Sequence, residues 1–143
     1  ALVVLRVPGI YAAERLPLER LRAGTPVLRQ EDDVYTNHIH ADDLAAICLR
    51  ALDDSAPAGV YNAVDDSTLL MGEWVDLLAD RAGLPRPPRI ARAAAGGRIA
   101  PESLSFMGES RRLLNAKMKR ELGVKLKYPT VFEGVPRNAA ALA

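Results

Sequence analysis

The chain opens on LVVLRV (residues 2–7), a run in which only Arg6 is polar. Such a run lacks the alternation of a half-exposed strand and predicts one buried on both faces, as in a parallel sheet. VYTNHIH (34–40) alternates and predicts a second strand, VYNAV (60–64) a third, and SRRLLN (110–115) a short fourth. Helical spacing appears between them. Leu18 and Leu21 share a face behind Pro17, with Gly24 as terminator. Leu44, Ile47, Cys48 and Ala51 recur at i, i+3, i+4 and i+7, so a helix is expected there, capped by Asp42 or Asp43. Trp74, Val75, Leu77 and Leu78 predict a helix over 73–82, stopped by Gly83 and Pro85. AKMKREL (116–122) reads as a helix capped by Asn115 and closed by Gly123, and a last helix follows Pro129. The stretches 8–16, 25–33, 53–59 and 65–72 read as loops or turns, and the Pro-, Gly- and Arg-rich stretch 84–103 as a surface excursion. Strands alternating with helices predict an α/β fold, and no internal repeat interrupts it.

With 143 residues, 49% of them hydrophobic, the chain can bury a real core and is expected to be a single region, 1–143. Nineteen basic groups against 18 acidic ones give no global field toward nucleic acid or membrane. No apolar run approaches the roughly 20 residues of a membrane helix. The single cysteine, Cys48, cannot form an internal disulfide, which suits a reducing cytoplasm. A strand of parallel-sheet character at residue 2 predicts sheet neighbours upstream, although removal of a methionine before alanine would leave the same beginning.

His38-x-His40-x-Asp42-Asp43 is the first candidate for chemistry. Two histidines on one strand face could chelate together, but a catalytic zinc takes three protein ligands plus water. The aspartates are wanted as a helix cap and no further histidine exists, so the reading favoured is a strand running into a capped helix, with no metal. Neither a G-x-G-x-x-G nor a Walker A pattern occurs. Tyr11 and Arg15 imitate a Tyr-x-x-x-Lys couple, but Arg does not deprotonate readily and the pair lies in a Pro/Gly loop. Between 111 and 127 seven Lys/Arg face one acid, Glu121; with only Tyr128 nearby, a solvated face is the commoner explanation than a nucleic-acid stripe.

Four stretches together resemble the C-terminal half of an extended or atypical short-chain dehydrogenase/reductase, the NAD-dependent epimerase/dehydratase group. They are LRVPGIYAAER, TNHIHADDLA, GVYNAVDDS and SRRLLNAKMKRELGVKLKYPTVFEGV. The resemblance implies the C-terminal part of a Rossmann-like doubly wound sheet with a small substrate lobe, and hydride chemistry with NAD or NADP on a small carbonyl or hydroxyl compound. It places Pro8, Gly9 and Ile10 beside the nicotinamide and Tyr11, Arg15 and His38 toward the substrate, and makes His40 and Asp43 structural joints without a metal. The group's glycine-rich loop and Tyr-x-x-x-Lys pair would precede the matched region. The chain is therefore expected to be an inactive fragment whose partners are a small molecule and the N-terminal half of the same fold, with a homodimer as a candidate assembly. Thr36 stands where sugar-nucleotide epimerases tend to carry an arginine, which argues against a nucleotide-sugar substrate. The alternative is a non-catalytic relative that binds a cofactor or regulator.

Overall fold

The computed structural model describes residues 2–142. In chain order its elements are β1 (Val3–Arg6), β2 (Gly9–Tyr11), α1 (Leu18–Arg22), β3 (Val27–Leu28), β4 (Tyr35–Thr36), β5 (His38–His40) and α2 (Ala41–Ala51). There follow β6 (Gly59–Asn62), β7 (Leu69–Leu70), α3 (Met71–Ala82), β8 (Arg89–Ile90), α4 (Pro101–Phe106), α5 (Ala116–Leu122) and α6 (Val131–Gly134). They divide between two compact units. The first gathers the chain up to Ala12, Asn37–Ser67 and Leu113–Gly134; the second gathers Ala13–Thr36, Thr68–Arg112 and the chain from Val135.

In the first unit β1 and β6 run parallel, with Val3 to Arg6 facing Gly59 to Asn62, and β2 and β5 run parallel with Gly9 opposite His38. Parallel strands need long crossovers, and α2 is the helix the chain forms between β5 and β6. Its inward residue Ile47 packs with Ile39, Tyr61, Met118 and Leu122 into a core that also holds Val3 and Leu5. Fully burying a side chain of this kind contributes about 1.5–3 kcal/mol. Helix α5 closes with Gly123 at a φ of 63°, a left-handed turn that glycine adopts without strain.

The second unit holds a parallel pair, β3 with β8, and an antiparallel pair, β4 with β7. Helix α3 starts two residues before the expected position, because Glu73 reaches back to accept a hydrogen bond from the Leu70 N–H at 2.7 Å. Leu28, Val34, Ile90, Ala95, Ile99 and Met107 form the core.

Several local expectations are corrected. Residues 25–33 and 84–103 are not merely turn and excursion: Val27–Leu28 pairs with Arg89–Ile90, and Ile90, Ala95 and Ile99 are buried. The Pro/Gly loop after β1 contains a strand, since Gly9–Tyr11 keeps its ladder with β5. Residues 110–115 form no strand. The Tyr35 N–H donates to Ser110 Oγ at 3.0 Å and the Leu113 N–H to Asn37 Oδ1 at 3.0 Å, so side chains hold this segment where a ladder was expected. Asn115 starts α5 but makes no side-chain cap; its amide donates instead to the Val64 carbonyl and to Asp66.

Candidate functional site

Pro8, Gly9, Ile10, Tyr11, His38 and His40 fall in the first unit, after β1 and along β2 and β5, whereas Arg15 and Thr36 fall in the second. Val7 and Pro8 leave β1, and β2 then lays Gly9, Ile10 and Tyr11 beside His38, Ile39 and His40. Gly9 and Ile10 are exposed and Pro8 half-buried. A Cβ on Gly9 would find only ordinary contacts, 3.6 Å from the Asn37 carbonyl and 3.9 Å from His38 Nδ1. The folded chain itself does not require glycine at this position. Arg15 belongs to the second unit, exposed on a short 3-10 turn at Ala13–Arg15.

Tyr11 points inward. Its ring meets His40 edge-on at 5.1 Å and His38 edge-on at 6.5 Å between centroids. Its hydroxyl lies on the backbone of Gly134, where a Cβ would stand 1.8 Å from the oxygen. Burial pushes the phenol well above its ordinary value, and the charges of Asp65, Asp43 and Glu133 push it the same way. Tyr11 therefore stays protonated throughout the neutral range.

The histidines and aspartates divide the remaining work. His40, not Asp42 or Asp43, caps α2: its Nδ1 accepts from the Asp42 N–H at 3.0 Å. Asp43 is then free of capping and reaches across sequence. One carboxylate oxygen accepts from the Lys127 N–H at 2.7 Å and the other from the Tyr128 N–H at 2.9 Å. That clamp sets the Tyr128 ring against His40, 4.1 Å between centroids. His38 is buried, and loss of solvent holds its pKa down to about 4, so it is neutral at pH 7. Among the described residues no group of three or more His, Cys, Asp or Glu side chains could hold a metal.

Asp65, Gly134 and Tyr128 were missed in the sequence. Asp65, only 4% exposed, follows β6; it accepts from the Ser67 N–H at 2.8 Å through Oδ1, while Oδ2 has no partner among the described residues. Burial pushes its pKa up to about 6, against the hydrogen bond from Ser67. The Asp-x-Ser spacing of 65–67 could have signalled the local turn. Nothing in the sequence signalled that the carboxylate would be buried. Chemically the cluster is a buried wall of Tyr11, His38 and His40 beneath the exposed Gly9 and Ile10.

The basic stretch 111–127 is likewise absorbed into structure. Lys119 pairs with Asp66 at 2.6 Å, and Lys117 sits 4.7 Å over the Tyr61 ring while donating to the Val60 carbonyl. No helix among the described residues is long and apolar enough to cross a membrane.

No family model and no curated protein matches the sequence. Solved structures do. A conserved protein of unknown function from Silicibacter pomeroyi is 30% identical, with a TM-score of 0.80 over 97% of this chain and 48% of its own. A human epimerase family protein solved with NADPH is 18% identical, with a TM-score of 0.76 over 97% of this chain and 48% of its own. The Bordetella bronchiseptica enzyme WbmG, solved with NAD and UDP, is 23% identical, with a TM-score of 0.65 over 98% of this chain and 42% of its own. The fold is thus the Rossmann-like α/β arrangement of epimerase-type proteins, and the chain spans about half the length of the structures it matches.

Proposed function

We propose that this chain is the C-terminal, substrate-lobe-bearing part of an NAD(P)-dependent oxidoreductase or epimerase/dehydratase acting on a small carbonyl or hydroxyl compound. On its own it is catalytically incomplete. The observation that carries this reading is the exposed Gly9, which opens β2 three residues beyond the C-terminal end of the parallel strand β1, on a fold shared with proteins solved with NADPH and with NAD. In open α/β sheets ligands bind outside the carboxyl ends of the strands. Gly9 carries no side chain on this exposed surface, so its backbone is open to close approach by a flat group from outside. A nicotinamide ring is flat and fits such a surface.

In this reading the bound dinucleotide supplies the hydride, and the chain's own residues position. Pro8, Gly9 and Ile10 offer backbone to the ring. Tyr11 and His38 shape the substrate side from beneath, held by Gly134 and His40, and neither moves a proton at pH 7. Arg15, exposed on its turn, is the substrate-facing cation of the proposal. The general acid and base belong to the N-terminal half of the fold, which is the chain's partner. The test is Gly9→Val in the natural polypeptide that carries this sequence. The expected result is at least a tenfold weaker dinucleotide dissociation constant with an unchanged melting temperature. Unaltered dinucleotide affinity would refute the placement.

A further inference from the structure

The loop that follows β6 fastens a segment distant in sequence. Asp65 Oδ1 accepts from the Ser67 N–H at 2.8 Å, a local turn made by the side chain. That turn presents two further groups. The Asp66 N–H donates to the Pro129 carbonyl at 2.8 Å, and Ser67 Oγ accepts from the N–H of Val131, the first residue of α6, at 2.9 Å. The Asp65 N–H donates to the His38 carbonyl at 2.8 Å, which ties the turn to β5. At its other end α6 places the Gly134 backbone against the Tyr11 hydroxyl. One turn therefore joins β5 to α6 and, through Tyr11, to the strand β2 that begins with Gly9.

The turn hangs on a buried carboxyl group that lacks a counter-ion. An ionised carboxylate in the interior needs a cation or several donors, and Asp65 has one N–H on Oδ1 and nothing on Oδ2 among the described residues. The groups that face it are of the wrong kind. Asp66 beside it and Asp43 on α2 are acidic, and the Tyr11 phenol on β2 stays protonated. Glu133 on α6 adds a further negative charge at Tyr11, while His38 on β5 is neutral at pH 7. Lys119 on α5 is already paired with Asp66. Protonated, Asp65 keeps the Ser67 bond and buries no charge. Ionised, it has to regain water. Strands β5 and β6 are held in ladders, so the part most easily released is 129–134, joined to the turn by two hydrogen bonds.

We propose that Asp65 is the proton-operated pin of a latch: protonated, it holds α6 and Gly134 down on Tyr11, and ionised, it lets the segment 129–134 lift toward solvent. The direction follows from the buried carboxyl, which titrates at about 6 in place against an ordinary 3.8. The closed latch is favoured most below pH 3.8, loosens as pH rises through 6 and stays loose above it. His38 acts in the opposite sense, weakening the fold as pH falls toward 4, so it cannot imitate a latch that opens as pH rises. The latch goes beyond the functional reading above and needs no dinucleotide. Its test contains none, so its failure would leave that reading as it stands.

The experiment is amide hydrogen exchange in the natural polypeptide, with rates corrected for the intrinsic effect of pH. Protection of the Asp66 and Val131 N–H groups should fall by roughly tenfold or more between pH 4.5 and 7. The Val27 N–H, bonded to the Pro88 carbonyl in the second unit, serves as control and should keep its protection. Asp65→Asn retains an acceptor for the Ser67 N–H and cannot ionise, so both latch amides should stay protected across the range. No fall in the parent, an equal fall at Val27, or the same fall in Asp65→Asn overturns the latch. If Asp65→Asn does not fold, the unsubstituted protein decides. The carbon-13 resonance of the Asp65 carboxyl and the amide resonance of Gly134 should then titrate with one shared midpoint near 6. A Gly134 amide that stays still while Asp65 titrates overturns the proposal.

Discussion

Ten large apolar side chains stand exposed among the described residues, and nine of them, Phe106 being the exception, belong to the first unit. The second unit closes on itself. Leu28, Ile99 and Met107 are sealed in its core, and its carboxylates are answered from within it: Asp76 by the Arg89 guanidinium at 2.6 Å, Asp32 by the backbone N–H of Arg92 at 2.9 Å. The first unit buries polar groups, Tyr11, His38, His40, Asp43 and Asp65, while leaving valines and leucines in water. Apolar atoms outside and titratable groups inside invert the usual distribution of a self-contained core. The difference teaches that the second unit meets its polar groups with its own arginines and backbone, while the first keeps titratable groups inside and apolar side chains on its surface.

The largest expected effect comes from Gly134→Ala. The new Cβ would stand 1.8 Å from Tyr11 Oη and 2.7 Å from the ring carbon bearing it, and the buried ring has nowhere to go. A loss of about 3 kcal/mol is expected in urea denaturation. Gly72→Ala is the counterpart in the second unit. Its Cβ would meet Asp33 Oδ2 at 2.9 Å and Arg89 Nη2 at 3.1 Å, side chains that can yield, so about 1 kcal/mol is expected. A larger loss from Gly72→Ala than from Gly134→Ala would break the comparison.

Asp43→Asn comes next. It keeps one acceptor and loses the other, leaving either the Lys127 or the Tyr128 N–H unanswered, at a cost of about 2 kcal/mol. Amide exchange at 127 and 128 should speed up while exchange in the second unit stays unchanged. Faster exchange spread over both units would show that the two do not differ in this way.

How far all this was legible in the sequence depended on the reach of each interaction. The apolar runs that became β1, β6, α2 and α3 were readable because burial imposes a period on neighbouring residues. The exposed face of β1 was not, because a run that predicts burial on both faces does not say whether the cover is present. His40 as the cap was missed for a local reason: an imidazole acceptor is less common there than the aspartates that follow, and Asp43 was needed 84 residues away. The Val27–Leu28 pairing with Arg89–Ile90 was hidden because each strand is two residues long, too short to show a period. The placement of Pro8, Gly9 and Ile10 rests on resemblance as much as on pattern, since a lone glycine in a loop has many uses.

The pH dependence sharpens the contrast more gently. Asp65 titrates near 6 when folded, against an ordinary value of 3.8, so its contribution is greatest below pH 3.8 and declines as pH rises through 6. His38 titrates near 4 against 6.5, so its contribution is present above pH 6.5 and is lost as pH falls toward 4. The two slopes oppose one another between pH 4 and 6. Asp65→Asn keeps an acceptor for the Ser67 N–H and should gain about 1–2 kcal/mol at pH 7. Its stability should then fall more steeply from pH 6.5 to 4 than that of the parent, in which Asp65 offsets part of the slope. Matching pH profiles for variant and parent would contradict a strained carboxylate at 65. The smallest effect is expected in the second unit, where Arg86→Ala removes an exposed fork onto Asp80 and should leave the urea midpoint nearly unchanged.

The most direct test of the proposed N-terminal half of the fold is amide hydrogen exchange along β1 in the natural polypeptide. The Leu5 N–H faces the edge of β1 away from β6, unpaired with any strand among the described residues, and the Tyr61 N–H faces β1. If a further strand seats on β1, Leu5 will exchange as slowly as Tyr61 in the natural polypeptide and quickly in the 143-residue chain alone. Fast exchange at Leu5 in both, beside a protected Tyr61, would mean that the sheet ends at β1 and that nothing completes it.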